Sequence, residues 1–183
     1  GLLQETAVAL AGFPSWEVVV VDDGSTDSTA EVLKSLQTAM PQLKVVRHRS
    51  SCGQSQAVAT GVDAARGAVI ATLDGDGQND PADLPAMYQL LTEDAGCGLW
   101  MVAGHRQNRR DSAWRVFSSK VANAVRSRIL GDNTPDTGCG IKVFYRAAFL
   151  QLPRFNHMHR FLPALVVRSG GRVISAAVNH RPR

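Results

Sequence analysis

A chain of 183 residues, 44% hydrophobic and 20% charged, has enough apolar material for one core and is too apolar for bulk disorder. Its longest apolar runs, VVVV at 18–21 and GAVIATL at 67–73, are far too short to cross a bilayer, and residues 1–10 lack the basic start of a secretory leader. The net charge of +4 hides a division: residues 1–100 carry 5 Lys+Arg and 13 Asp+Glu, net −8, whereas residues 101–183 carry 15 and 3, net +12. An acidic half suits metal ions, and a basic half suits phosphates, nucleic acid or an anionic membrane surface. A phosphate-bearing substrate with a divalent cation suits both.

In chain order, LLQETAVALA at 2–11 has helical spacing and is closed by Gly12 and Pro14. WEVVVVDD then reads as a fully buried β-branched strand. The Ser25/Thr26/Asp27 cluster offers an N-cap for a helix running from Ala30, and LKVVRHR at 43–49 reads as a strand. Residues 53–67 form a helix ended by Gly67, AVIATLD a buried strand, and 81–93, led by Pro81, another helix. LWMVAGHR is a strand, 111–130 a long basic amphipathic helix, and GIKVFYRAAFLQL a strand passing into a helix. FLPALVVRSGG is a helix stopped by Gly170-Gly171, and RVISAAVNHRPR a last strand. The alternation predicts an α/β fold: one domain over 1–183, with a mostly parallel, Rossmann-like sheet flanked by helices.

Cys52, Cys97 and Cys139 are odd in number and form no C-x-x-C pair, which speaks against a disulfide framework or a zinc site. They read as packing residues in a reducing, intracellular setting. The five histidines make no H-E-x-x-H pattern, and HMHR at 157–160, with no acid nearby, reads as structural or substrate-lining.

Two strand ends carry clustered acids, and strand carboxyl ends are where parallel α/β sheets collect ligands. After VVVV, Asp22 and Asp23 exceed what a helix cap requires, so one of them is expected to contact a ribose or base. After GAVIATL come Asp74, Asp76 and Asp80. A calcium loop starting at Asp74 would need Gly at its sixth place and Glu at its twelfth, but Asn79 and Pro85 stand there. An aspartyl-phosphate phosphotransferase would place D-x-D on its first strand, whereas two strands precede this one. A solvated acidic turn remains open. So does a divalent metal site, because Mg²⁺ or Mn²⁺ takes one or two carboxylates and completes its shell with water and phosphate oxygens. Asp80, before Pro81, reads as a helix cap.

VVVVDDGSTDST, TLDGDGQNDP, GHR and DTGCGIKVFYRAAF, in this order, resemble family 2 inverting glycosyltransferases of the GT-A fold. The likeness is to the branch of dolichol-phosphate mannose synthase and the bacterial polyprenyl-phosphate glycosyltransferases. The resemblance implies a nucleotide diphosphate sugar donor, Mg²⁺ or Mn²⁺, and transfer of a hexose to a polyprenyl phosphate at the cytoplasmic side of the membrane. It implies that Asp22 and Asp23 lie near the nucleoside and that Asp74, Asp76 and Gln78 hold the metal. Arg106, Arg115 and Ser119 match the acceptor-phosphate positions. Asp136 matches an acid near the reacting sugar, with Asp76 the other catalytic acid. Arg181 and Arg183 match basic residues near the donor pyrophosphate or the acceptor phosphate. Relative to the family pattern, the chain starts after the usual first strand and stops before the usual C-terminal extension. A glycan or other non-lipid acceptor is the alternative. A non-catalytic nucleotide-sugar or nucleic-acid binder is less favoured, because the basic half lacks interleaved aromatics.

Overall fold

The computed structural model describes residues 1–106 and 134–182. In it α1 (Leu2–Leu10), β1 (Val18–Asp22), α2 (Thr29–Ala39), β2 (Leu43–Arg47), α3 (Gln54–Ala64) and β3 (Val69–Thr72) follow one another in the expected alternation. Then come α4 (Leu84–Glu93), β4 (Leu99–Arg106), β5 (Lys142–Tyr145), α5 (Arg146–Leu150), α6 (Leu162–Arg168) and β6 (Arg172–Val178). The basic helix expected over 111–130 lies outside the described residues.

The strands of the described residues form two sheets, a parallel pair β1-β2 and a four-stranded sheet in the order β3-β5-β4-β6. β4 and β6 are parallel, but β5 runs antiparallel to both β3 and β4. The expected α/β fold with parallel-rich sheets flanked by helices is found, and β5 is its antiparallel member. This reversal positions the functional cleft, because the start of an antiparallel strand lies beside the ends of its neighbours. Lys142, the first residue of β5, pairs with Thr72 at the end of β3 and with Ala103 on β4.

Alternation along the strands sends side chains to two cores. Met101 and Phe144, paired across β4 and β5, face a core with Ala59 and Val62 of α3, Phe149 of α5 and Leu162 and Val166 of α6. Their neighbours Val102 and Val143 face Leu84, Met87 and Leu91 of α4 on the other side. Each of the larger side chains here, Ala59 apart, contributes about 1.5–3 kcal/mol of hydrophobic free energy by leaving water. Phe144 stacks on Phe149 at 5.5 Å between ring centroids, interplanar angle 20°.

The four valines of β1 are only half-buried, which corrects the fully buried strand read from their β-branched run. Among the described residues β1 hydrogen-bonds along one edge only, to β2, so its side chains lack the cover a central strand receives. Asp80 caps as expected: its side chain accepts the Ala82 N–H at the start of a 3₁₀ turn, Pro81–Asp83. The helix read as starting at Pro81 begins a turn later, with a second proline, Pro85, in its first turn. The α2 helix is led in by Asp27, which accepts the Thr29 N–H, while the N-cap residue itself is Ser28. Cys139 is buried as expected of a packing residue, but Cys52, on a loop, and Cys97, ending a 3₁₀ turn, are exposed.

Candidate functional site

Five pieces of chain meet at the edge where β3 and β4 end. β3 delivers Asp74, β4 ends on Arg106, β5 begins with Lys142, α3 begins with Gln54, and the turn before β5 supplies Asp136 to Gly140. They line a cleft of about 340 Å³, with His159 and Arg160 on a further wall.

Asp74 is held from three sides. Its N–H donates to the Asn79 side chain (3.0 Å), and its Oδ1 accepts from Gln54 Nε2 (2.8 Å). Its other oxygen lies flush against Gly140, where a Cβ would stand 2.1 Å from Asp74 Oδ2 and 2.8 Å from Asn79 Oδ1. Only glycine fits there, and Thr72 Oγ1 fixes the peptide by donating to the Gly140 carbonyl (2.7 Å). Burial, followed by the charge of Asp76, pushes the Asp74 carboxyl above its ordinary range. Asp76 is exposed, and its Oδ1 accepts the Gln78 N–H (3.1 Å), which shapes the turn.

Asp136 is buried and grips Arg106 with both oxygens: Nε to Oδ2 at 2.7 Å and Nη2 to Oδ1 at 2.9 Å. This two-pronged pairing fixes the guanidinium plane. Lys142 is buried among these groups, and its ammonium donates to the Cys139 carbonyl. Burial pulls its pKa below the usual lysine range, against the opposing pull of Asp74 and Asp136.

The first acid pair has a different surrounding. Asp22 is buried, accepts the Ser25 N–H (2.9 Å), and meets Arg47 Nε at 3.2 Å. Asp23 gathers the loop at 50–53: it accepts the N–H groups of Cys52 and Gly53 (both 2.8 Å) and the Ser51 hydroxyl (2.9 Å), and meets His48 Nδ1 at 2.6 Å. The Cys52 N–H and His48 lead the interactions that hold its pKa far below the carboxylate range. Gly24 makes room for this loop, since a Cβ there would lie 2.7 Å from the Ser50 and Ser51 backbone. Asp23, His48 and Cys52 could bring ligand atoms within 4.8 Å of one another, but Asp23 spends its oxygens on these donors and His48 Nε2 sits on Thr60 (2.9 Å).

The structure thus brings together Asp74, Arg106 and Asp136 of the expected residues, with Asp76 and Gln78 on the adjoining turn. Arg181 is directed elsewhere: it joins Asp80 (2.7 Å) to Glu5 of α1, while its N–H donates to the Gln78 carbonyl (2.9 Å). Arg115, Ser119 and Arg183 lie outside the described residues. Gln54, Gly140 and Lys142 were not singled out from the sequence. The glycines of DTGCG were a signal for a close backbone approach, whereas nothing local marks Gln54 or Lys142.

A family model described as glycosyl transferase family 2 matches residues 3–152. The chain is 37% identical, over its whole length, to a dodecaprenyl-phosphate galacturonate synthase of Rhizobium johnstonii, covering 54% of that protein. It is 32% identical over 92% of its length to an undecaprenyl-phosphate 4-deoxy-4-formamido-L-arabinose transferase of Pseudomonas savastanoi, covering 49% of it. The chain therefore spans about half the length of these curated relatives. Among solved structures, glucosyl-3-phosphoglycerate synthase from Mycobacterium tuberculosis superimposes with a TM-score of 0.69 at 18% identity, covering 99% of this chain and 66% of that one. A second structure of that enzyme holds Mn²⁺ and UDP. A mannosyltransferase from Pyrobaculum calidifontis, solved with GDP-mannose and Mn²⁺, gives 0.67 at 21% identity over 96% of this chain and 51% of that one. These neighbours share the GT-A α/β fold.

Proposed function

This chain belongs to glycosyl transferase family 2, and from that premise we propose that the protein transfers one sugar from a nucleotide diphosphate sugar to a polyprenyl phosphate, with inversion at the anomeric carbon. The observation that carries the reading is the cleft itself, in which a half-buried carboxylate, Asp74, shares a small volume with a preset arginine, Arg106. The relatives named for dodecaprenyl- and undecaprenyl-phosphate transfer support the acceptor class.

The acceptor phosphate is already ionised near neutral pH, so attack on the anomeric carbon needs no strong base. One phosphate oxygen forms the new bond to carbon, and the bond from carbon to the diphosphate breaks with its electron pair leaving on the diphosphate. The barrier is then dominated by repulsion between two anions and by charge growing on the leaving group. Asp136 has both oxygens on Arg106, so its role is to orient that guanidinium before substrate arrives rather than to remove a proton. Arg115 and Ser119 join Arg106 on the acceptor phosphate, and Arg183 and Asp22–Asp23 serve the donor side, on the strength of the family resemblance.

Asp74, Asp76 and Gln78 offer hard oxygen donors that fit Mg²⁺ or Mn²⁺, and the raised Asp74 carboxyl beside Asp76 is a repulsion that a cation relieves. A bound divalent ion would neutralise charge on the leaving diphosphate. We place the protein at the cytoplasmic membrane face, where a lipid-borne acceptor resides and where the +12 half meets anionic headgroups. Among the described residues no helix is long and apolar enough to cross a membrane.

A donor screen against a short polyprenyl phosphate, with Mn²⁺ or Mg²⁺ and product detected by mass spectrometry, tests the reading. Asp76→Asn should lower the rate roughly 10²–10³-fold without unfolding the protein. Transfer to a glycan but not to the lipid phosphate would overturn the acceptor class. Undiminished turnover in Asp76→Asn would overturn the metal assignment.

A further inference from the structure

A cleft that binds phosphates beside carboxylates needs uncommitted donors, and Arg106 already faces Asp136 with two prongs. The remaining wall is the 3₁₀ turn Met158–Arg160. Its base is fixed by the fully buried Met158. Ahead of it His157 holds φ at +66°, the one non-glycine residue with positive φ among the described residues. Such conformations cost about 1–3 kcal/mol and persist only where the surroundings enforce them.

The second anchor is Ser55 of α3. Its hydroxyl oxygen lies 2.7 Å from His159 Nδ1 and accepts the His159 N–H at 3.4 Å. The Ser55 hydroxyl can donate to Nδ1 in the Nε2–H tautomer, the form in which the free edge of the ring is a donor. Burial, followed by the charges of Arg160 and Lys142, lowers the His159 pKa, so at neutral pH the ring is an uncharged donor. Arg160, next in sequence and lining the same cleft, makes no ion pair or side-chain hydrogen bond among the described residues. Arg106, Arg154, Arg172 and Arg181 each face a carboxylate.

We propose that Arg160 and the Ser55-held His159 form an oxyanion subsite on this wall, taking a phosphate oxygen of either the donor diphosphate or the acceptor phosphate. The identity of the ligand rests on the transferase reading, but the capacity to hold an oxyanion does not. Arg160 supplies charge and a planar fork, and His159 supplies one directed N–H. The HMHR stretch thereby gains a binding role.

Inorganic pyrophosphate binding to the purified protein, measured by calorimetry in EDTA, isolates the wall from any metal. Arg160→Ala should weaken binding about tenfold or more, the range for a charge-assisted hydrogen bond, with Arg160→Lys between the two. Ser55→Ala should weaken it about threefold, by releasing the ring. Because Arg160 is exposed, its replacement should leave the melting temperature unchanged. An unaltered pyrophosphate affinity in folded Arg160→Ala overturns the subsite. In steady-state transfer, a rise in donor KM alone assigns the diphosphate, and a rise in acceptor KM alone assigns the lipid phosphate. A rise in neither overturns the proposal. If the wild-type protein transfers nothing to any polyprenyl phosphate, the transferase reading fails, and the pyrophosphate measurement still decides the subsite.

Discussion

At the end of β1, Asp22 and Asp23 are met by donors: backbone N–H groups, a serine hydroxyl, a histidine and an arginine. At the end of β3, Asp74 is met by burial and by a second carboxylate, with one glutamine amide on its Oδ1. Both segments read alike in sequence, an apolar strand running into paired acids and glycine. Their electrostatics are opposed: Asp23 is held well below the carboxylate range, and Asp74 is pushed above it. In the first, Asp23 staples the 51–53 loop with donors already in place. The second keeps a carboxyl raised by burial and by Asp76, which Lys142, Arg106 and Gln54 only partly offset, the expected state of a site that works with a cation.

The largest effect that would break this contrast is at Asp74. Asp74→Asn should abolish transfer, by roughly 10²–10³-fold, while raising the melting temperature in EDTA by about 2–4 °C. Removing a charge whose burial is only partly offset stabilises a fold whose function depends on it. A lower melting temperature would show that Asp74 is already compensated. Asp23→Ala should act in the other direction. It removes the acceptor for two backbone N–H groups and two side chains, at a cost of about 1–2 kcal/mol after screening at this partly exposed position. Scanning calorimetry should find a melting temperature lower by about 2–8 °C.

The smallest effect is in the pH dependence, which compares the two acids within one molecule. The stabilisation from Asp23 is fully present above the ordinary carboxylate pKa and is lost as pH falls toward its depressed native value. The term from Asp74 has the opposite sign. Its folded carboxyl takes up a proton before the unfolded one, so stability from this group rises as pH falls through its raised value. Urea midpoints between pH 7 and 3 should therefore flatten on the acid side in Asp23→Asn and steepen in Asp74→Asn. Parallel profiles in the two variants would erase the contrast.

Much of the scaffold was legible because its signals are local. The 3.6-residue stripes, the Pro81 and Gly170 boundaries and the β-branched runs placed the elements of the described residues to within a few positions. The reversal of β5 was not legible, because KVFY is equally apolar in either direction. The partial exposure of VVVV also escaped notice, since burial depends on what pairs with the other edge. In the site, Asp74 was read from its position after a strand. The Asp136–Arg106 pair joins residues thirty positions apart, each singled out in the sequence but without the partner, which no spacing rule supplies.

By itself the sequence determined the kinds of groups available: an acidic loop after a strand, a glycine-rich turn, and an excess of arginine in the second half. It also determined the order of elements, because hydrophobic period and turn chemistry act over a few residues. Only the tertiary structure decided which of two similar acid pairs keeps a raised carboxyl. That depends on donors brought from Ser51, Cys52 and Gly53 to one pair and withheld from the other. Hydrogen bonds and desolvation act through space at a few ångströms, so the two strand ends diverge only once the chain has folded around them.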